Sequence, residues 1–143
     1  MTVSVVTGGN KGVGFGIVRA LCNKVGGTVI LTARNEERGL AAVQALQTEN
    51  LNPVFEKLDI CSDESVSKFC ETVKEKYGGI DILCNNAGIA YKNASTAPAE
   101  VTNATNFLAT IKVTDALLPL MNEGGRICQI ASMCGILIVH FQM

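Results

Sequence analysis

The 143-residue chain carries 12 Lys and Arg against 13 Asp and Glu, a formal net charge of −1 with both signs interspersed, so no broad positive field exists to draw in nucleic acid or anionic lipid. With 48% apolar and 17% charged residues it reads as a folded soluble protein, not a disordered one. It is long enough to bury one core without metals or disulfides, and a single globular domain is expected.

An apolar run, Val3 to Val6, is followed at once by glycines and then by Val13, Ile17, Ala20 and Leu21 at helical spacing, which predicts strand, tight loop, helix. Gly26 and Gly27 end that helix, and Val29 to Thr32 supplies a second β-branched run. Asn35 is placed to cap the next helix, with Glu36 and Glu37 in its first turn, where the helix dipole favours anions. Leu40, Val43 and Leu46 are its predicted buried stripe, and Thr48 its predicted end. After Asn52-Pro53, Val54 to Leu58 reads as a third strand. Val66, Phe69, Cys70, Val73 and Tyr77 then mark one face of a helix that Gly78-Gly79 breaks. Ile80 to Cys84 is a fourth strand, Val101, Ala104, Leu108 and Ile111 begin the apolar face of a long fourth helix, and Glu123-Gly124-Gly125 leads into a fifth strand, Arg126 to Ala131.

Strict alternation of strand and helix, with strands apolar at nearly every position, predicts a doubly wound α/β fold: about five parallel strands joined by right-handed crossovers, with helices on both faces. No linker, repeat or low-complexity segment interrupts residues 1–135. The last stretch, 136–143, is apolar without turn, cap or alternation, and is set apart as a tail.

The first loop, Thr7-Gly8-Gly9-Asn10-Lys11-Gly12-Val13-Gly14, follows a strand and opens a helix, the context in which a glycine-rich pattern points to a dinucleotide. Glycine at Gly8 and Gly12 lets the backbone turn tightly against a pyrophosphate, and the helix N-terminus offers it free N–H groups. The bland alternative is a glycine turn that serves helix packing. Twenty residues beyond Gly14, at the end of the second strand, stands Arg34. An acid in this neighbourhood takes a ribose 2′-hydroxyl, whereas an arginine accommodates a 2′-phosphate. With Lys11 as a second cation and no acid at Ala33, NADPH is the expected cofactor over NADH. Arg34 could otherwise pair with Glu36 or Glu37 on the surface.

Three motifs together, T-G-x-x-x-G-x-G in the first loop, Leu58-Asp59-Ile60 and Asn85-Asn86-Ala87-Gly88, resemble the short-chain dehydrogenase/reductase family. Within it, T-G-G-N-K-G-V-G-F, L-T-A-R-N at Leu31 to Asn35, Y-G-G-I-D at Tyr77 to Asp81 and L-L-P-L at Leu117 to Leu120 are similar to the monomeric carbonyl reductases, over Val3 to Gly135. The resemblance implies a Rossmann domain that holds NADPH through Gly8, Asn10, Lys11, Gly12, Val13 and Gly14 of the loop, Arg34, Asp59 and Ile60 at the adenine, and Asn86, Ala87 and Gly88. It implies that Asn106 is the family's active-site asparagine and Ser132 its catalytic serine, with a small carbonyl compound as substrate and a monomeric state. By the residues alone, Ser132 follows the C-terminal end of a strand, the edge where open α/β sheets place ligands, although a turn or helix-cap role would suit a lone serine too.

Carbonyl reduction needs a proton as well as a hydride, and the family resembles a template in which a tyrosine supplies it, with a lysine four residues on to lower its pKa. Here Tyr77 and Tyr91 are followed at that spacing by Asp81 and Ser95, and both precede the serine. The chain is therefore expected to be truncated ahead of that motif and inactive or nearly so by itself, with Arg126 to Ala131 as an edge strand exposing apolar surface. A binding module that holds NADPH without turning it over, and an unstable fragment, stay open as alternatives.

Cys22, Cys61, Cys70, Cys84, Cys128 and Cys134 form no C-x-x-C pair, and His140 is the only histidine, so no zinc site is expected. Cys84 and Cys128 sit in apolar runs, where a reduced thiol behaves as a small buried hydrophobe, and reduced thiols in a cytoplasmic protein are the expectation. Neither a secretory leader nor an apolar run long enough to span a membrane is read from the sequence.

Overall fold

A computed structural model describes residues 1–90 and 99–132, so Tyr91, Cys134, Gly135, His140 and the predicted tail at 136–143 lie outside the described residues. The elements are β1 (Val3–Val6), α1 (Gly12–Lys24), β2 (Thr28–Ala33), α2 (Glu36–Gln47), β3 (Val54–Lys57), α3 (Asp63–Thr72), β4 (Ile80–Asn85), α4 (Ala99–Asn103), α5 (Thr110–Leu117) and β5 (Met121–Gln129). A wide π turn, Val73–Tyr77, extends α3, and another, Ala104–Ala109, joins α4 to α5. The five strands form one parallel sheet in the order β3-β2-β1-β4-β5.

Because successive strand residues point to opposite faces, the apolar strands feed two cores. Val3, Val5, Ile30 and Leu83 pack with Val66, Phe69, Val73, Ala109, Val113 and Leu117 beneath α3 and α5. Val6, Val29, Leu31 and Cys84 pack on the other face with Val18, Ala42, Val43 and Leu46 of α1 and α2. This is the predicted doubly wound architecture. The predicted α3 stripe holds, with Val66, Phe69 and Val73 buried and Cys70 and Tyr77 packed against them. The helix ends where Gly78 takes a left-handed conformation at φ 77°.

Three predicted apolar stripes are corrected. On α2, Leu40 is 46% exposed, and the buried face is Gly39, Ala42, Val43 and Leu46. Gly39 is small because the Phe55 ring lies where a Cβ would stand. On α1, Val18 fills the core position, while Val13 and Ala20 are exposed. After α4, Val101, Leu108 and Ile111 are exposed, and Ala109, Val113 and Leu117 turn inward at a spacing of four. The fifth strand begins at Met121, ahead of its predicted start, because the Glu123-Gly124-Gly125 segment is a bulge inside the strand: the register runs from Ile80 opposite Met121 to Ile82 opposite Arg126. As expected, β5 is an edge among the described residues, with Ile127 40% exposed. Cys128 is consequently exposed too, not buried as its apolar run suggests.

Asp81 on β4 ties together its two neighbours in the sheet, β1 and β5. Its carboxylate accepts from the Val3 amide at 2.7 Å and from Asn122 Nδ2 at 2.9 Å. The Asn122 bond first, and then the Val3 amide, hold its pKa below the ordinary carboxylate value. A depressed carboxylate contributes stability above its unfolded pKa of about 4, lost as pH falls through the folded value. Asp81→Asn is therefore expected to lower the thermal midpoint at neutral pH and to flatten its decline below about pH 4. A thermal-melt series across that range that is identical for both proteins would refute the assignment.

Candidate functional site

At the C-terminal ends of β1, β2 and β4, and the chain just beyond β3, lies a cleft of about 350 Å³. It opens at the point where the sheet order reverses around β1, the position at which doubly wound sheets bind ligands. Gly8, Asn10, Lys11, Gly12, Val13, Arg34, Asp59, Ile60, Asn86, Ala87 and Gly88 all line it. Val13, 65% exposed, contributes its side chain to this wall.

The loop is held open by one threonine. The Thr7 amide donates to Cys84 O at 3.0 Å, and Thr7 Oγ1 accepts from the amides of Asn86 and Ala87 at 2.9 and 3.0 Å. Asn86 answers by donating through Nδ2 to Thr7 O at 2.9 Å and Gly8 O at 3.0 Å. With β1 and β4 tied this closely, Gly8 passes so near Ala87 that a Cβ would come within 2.9 Å of its Cα, and Gly8 itself sits at φ 64°. Gly14 does not line the cleft: a Cβ there would collide with Asn86 Nδ2 and Gly8 O, so its role is to let α1 approach the loop. At Gly12, by contrast, φ is 56° and a Cβ would meet nothing within 4 Å.

Charge in the cleft is one-sided around its β2 rim. The ion pairs among the described residues are Arg19–Glu49, Lys76–Glu56 and Lys112–Asp63, and Lys11, Arg34 and Arg38 enter none of them. Arg34 therefore does not take the surface pairing open to it with Glu36 or Glu37. Helices α2 and α3 start on capping side chains, Asn35 and Ser62, with two acids each in the first turn. Helix α1 starts at Lys11 with no side-chain cap and no acid in its first turn, leaving its N–H groups aimed at the cleft floor.

Asn106 and Ser132 stand outside the cleft lining. Asn106 lies in the π turn before α5, where its Oδ1 accepts from the Ile89 amide and its Nδ2 donates to Ile89 O, both at 2.8 Å. It grips the strand of chain leaving Gly88. Ser132 lies exposed just past β5, beyond Ile130, whose amide donates to Asn85 O at 2.9 Å. Tyr77 is remote from the cleft: its hydroxyl donates to Glu56 at 2.8 Å, and burial, reinforced by Glu56, pushes its pKa upward. Among the described residues no group of three His, Cys, Asp or Glu could hold a metal, and no helix is long and apolar enough to cross a membrane.

The family model described as short chain dehydrogenase matches residues 2–142. The chain belongs to the short chain dehydrogenase family. It is 51% identical over 134 residues to carbonyl reductase (NADPH) 1 of Bos taurus, covering 91% of this chain and 48% of that protein. It is 49% identical over 138 residues to carbonyl reductase (NADPH) 3 of Mus musculus, covering 94% and 50%. The chain thus spans about half the length of the curated relatives it matches. Among solved structures, salutaridine reductase from Papaver somniferum superposes with a TM-score of 0.84 at 29% identity over 95% of this chain and 59% of that one. A metagenomic short-chain oxidoreductase in complex with NADP gives 0.81 at 28% identity, over 96% and 65%.

Two features of this short chain dehydrogenase cleft escape the sequence reading. Arg38 lines it from the first turn of α2, near Arg34 at the end of β2, and its place in a helix start that follows the strand was the available signal. Thr7 carries no family-independent mark, since a threonine ending a strand is ordinary. Its importance predicts that Thr7→Val, which keeps the shape but leaves two amides unpaired, costs about 1–3 kcal/mol of unfolding free energy in urea, with Thr7→Ser restoring most of it. An unshifted urea midpoint for Thr7→Val would show that the hub is dispensable.

Proposed function

We propose that the chain is the nucleotide-holding part of an NADPH-dependent carbonyl reductase, acting on small ketones, aldehydes or quinones, and that the 143-residue chain alone binds NADPH without consuming it. The observation that carries this reading is the convergence of Lys11, Arg34 and Arg38, all without ion-pair partners, on the cleft into which the uncapped N-terminus of α1 opens. The donor set fits the group. Free N–H groups over the space at Gly12 suit a pyrophosphate, and guanidinium groups at the end of β2, where Ala33 replaces an acid, suit a ribose 2′-phosphate. Asp59 and Ile60 supply the adenine wall, and Asn86 keeps the loop carbonyls turned away from the phosphates.

When bound, the cofactor supplies the hydride. In this reading Asn106 fixes the backbone at Ile89 on the wall of the cleft, and Ser132 would offer a hydroxyl to the substrate carbonyl. A proton donor is the weak point. Tyr77 is occupied with Glu56 and raised in pKa, and neither it nor Tyr91 has a lysine four residues on, which supports binding without turnover. The relatives named for NADPH-dependent carbonyl reduction support the cofactor and the reaction class.

A fluorescence titration of the purified chain should show saturable NADPH binding at least about tenfold tighter than NADH. Arg34→Ala with Arg38→Ala should weaken NADPH by roughly 10- to 100-fold while leaving NADH nearly unchanged. Absorbance at 340 nm should stay constant when a quinone is added. Equal affinity for the two nucleotides would remove the 2′-phosphate assignment, and NADPH consumption would remove the non-catalytic one.

A further inference from the structure

Cys84 on β4 and Cys128 on β5 are Cα partners across the parallel pair. Residues in register present their side chains to the same sheet face, and adjacent strands lie about 4.8 Å apart, within the roughly 4.4–6.8 Å Cα separation over which disulfides close. One member is deep and the other is accessible: Cys84 is 5% exposed in the α1-side core, whereas Cys128 is exposed on the edge strand. No third histidine, cysteine or acid completes a metal-binding group with them among the described residues. An accessible thiol beside a sheltered one is the arrangement in which the first is attacked and the second resolves.

We propose that Cys84 and Cys128 are a redox-active pair that closes to a cross-strand disulfide by exchange with a low-molecular-weight disulfide of the glutathione class. The Cys128 thiolate attacks one sulfur of the small disulfide, whose S–S bond breaks and releases one small thiol, leaving a mixed disulfide on Cys128. The deprotonated Cys84 sulfur then attacks Cys128 Sγ, forms the protein disulfide and expels the second small thiol. The protein gives up two thiol protons and two electrons, and the small disulfide leaves as two thiols carrying both. In the reduced pair burial, and then the neighbouring Cys128, push the Cys84 thiol up to about 11, and because burial persists in the mixed disulfide the resolving step quickens as pH rises above neutral. The bond ties edge strand β5 to the sheet interior next to Asn85 and Asn86.

The test is to incubate the folded chain in graded oxidised and reduced glutathione, quench by alkylation, and map linked peptides by mass spectrometry. The expected product is a single Cys84–Cys128 link, with a thermal midpoint about 5 °C or more above the reduced chain. Cys84→Ala should instead retain glutathione on Cys128, and Cys128→Ser, at an exposed position, should leave Cys84 unmodified. A lasting glutathione adduct on Cys128 in the unaltered chain overturns the proposal, as do links spread over the other cysteines as they are in denaturant. Neither outcome bears on NADPH binding, which the titration above reads separately.

Discussion

Everything in the cleft depends on the join between the ends of β1 and β4 at Thr7 and Asn86. Two backbone amides of the chain leaving β4 are satisfied by one hydroxyl, and two carbonyls of the glycine loop by one side-chain amide. A buried backbone group left without a partner costs as much as a lost hydrogen bond, so this pairing fixes the path of both chains at once. The glycines follow from it. Gly8 lies against Ala87, and Gly14 lies against Asn86, because the join leaves no room for a side chain at either place. The cavity above Gly12 is the space left over once β1, β4 and α1 have been drawn together.

The electrostatics of the cleft are intelligible by contrast with the rest of the surface. Helices α2 and α3 neutralise their own N-termini with a capping side chain and paired acids, while α1 does neither. Three cations without ion-pair partners beside that terminus repel one another, and screening by water lessens the cost without reversing it. An arrangement that is mildly unfavourable when empty becomes favourable when a polyanion spans it, since each charge then gains a partner without any rearrangement of the backbone.

Much of this was legible from residues alone where the signal was local. The alternation of β-branched runs and helical stripes gave all five strands, and Asn35 and Gly78 marked helix ends by capping chemistry that needs only neighbouring residues. The misplaced stripes on α2 and after α4 share one cause. Where helices cross the sheet closely, the buried residue is small, as at Gly39 and Ala109, and a search for large apolar side chains selects the exposed neighbour instead. Asn106 was singled out by family resemblance alone, because its clamp on Ile89 rests on contacts distant in sequence, whereas Ser132 was also marked by its place past a strand's C-terminal end. The Cys84–Cys128 register was invisible for the same reason: strand pairing 44 residues apart carries no local mark, and the Asn122–Gly125 bulge shifts it.

The cleft and Ser132 rest on different parts of the sheet. None of the cleft lining comes from β5: it is drawn from the ends of β1, β2 and β4, the chain beyond β3, and the helices and turns beside them. Ser132 lies just beyond β5, which pairs on one side among the described residues, is bulged, and exposes most of its length. Local stability falls with the number of buried apolar contacts and rises with shielded backbone hydrogen bonds, so the edge strand opens at lower free energy than the centre. Beyond its ladder to β4, β5 is held by the Asn122 bond to Asp81, and just past its end by the Ile130 amide on Asn85 O. The cleft is thus built on the buried centre of the sheet. Ser132 follows a strand that pairs on one side among the described residues, and the proposed covalent link from β4 to β5 would act there.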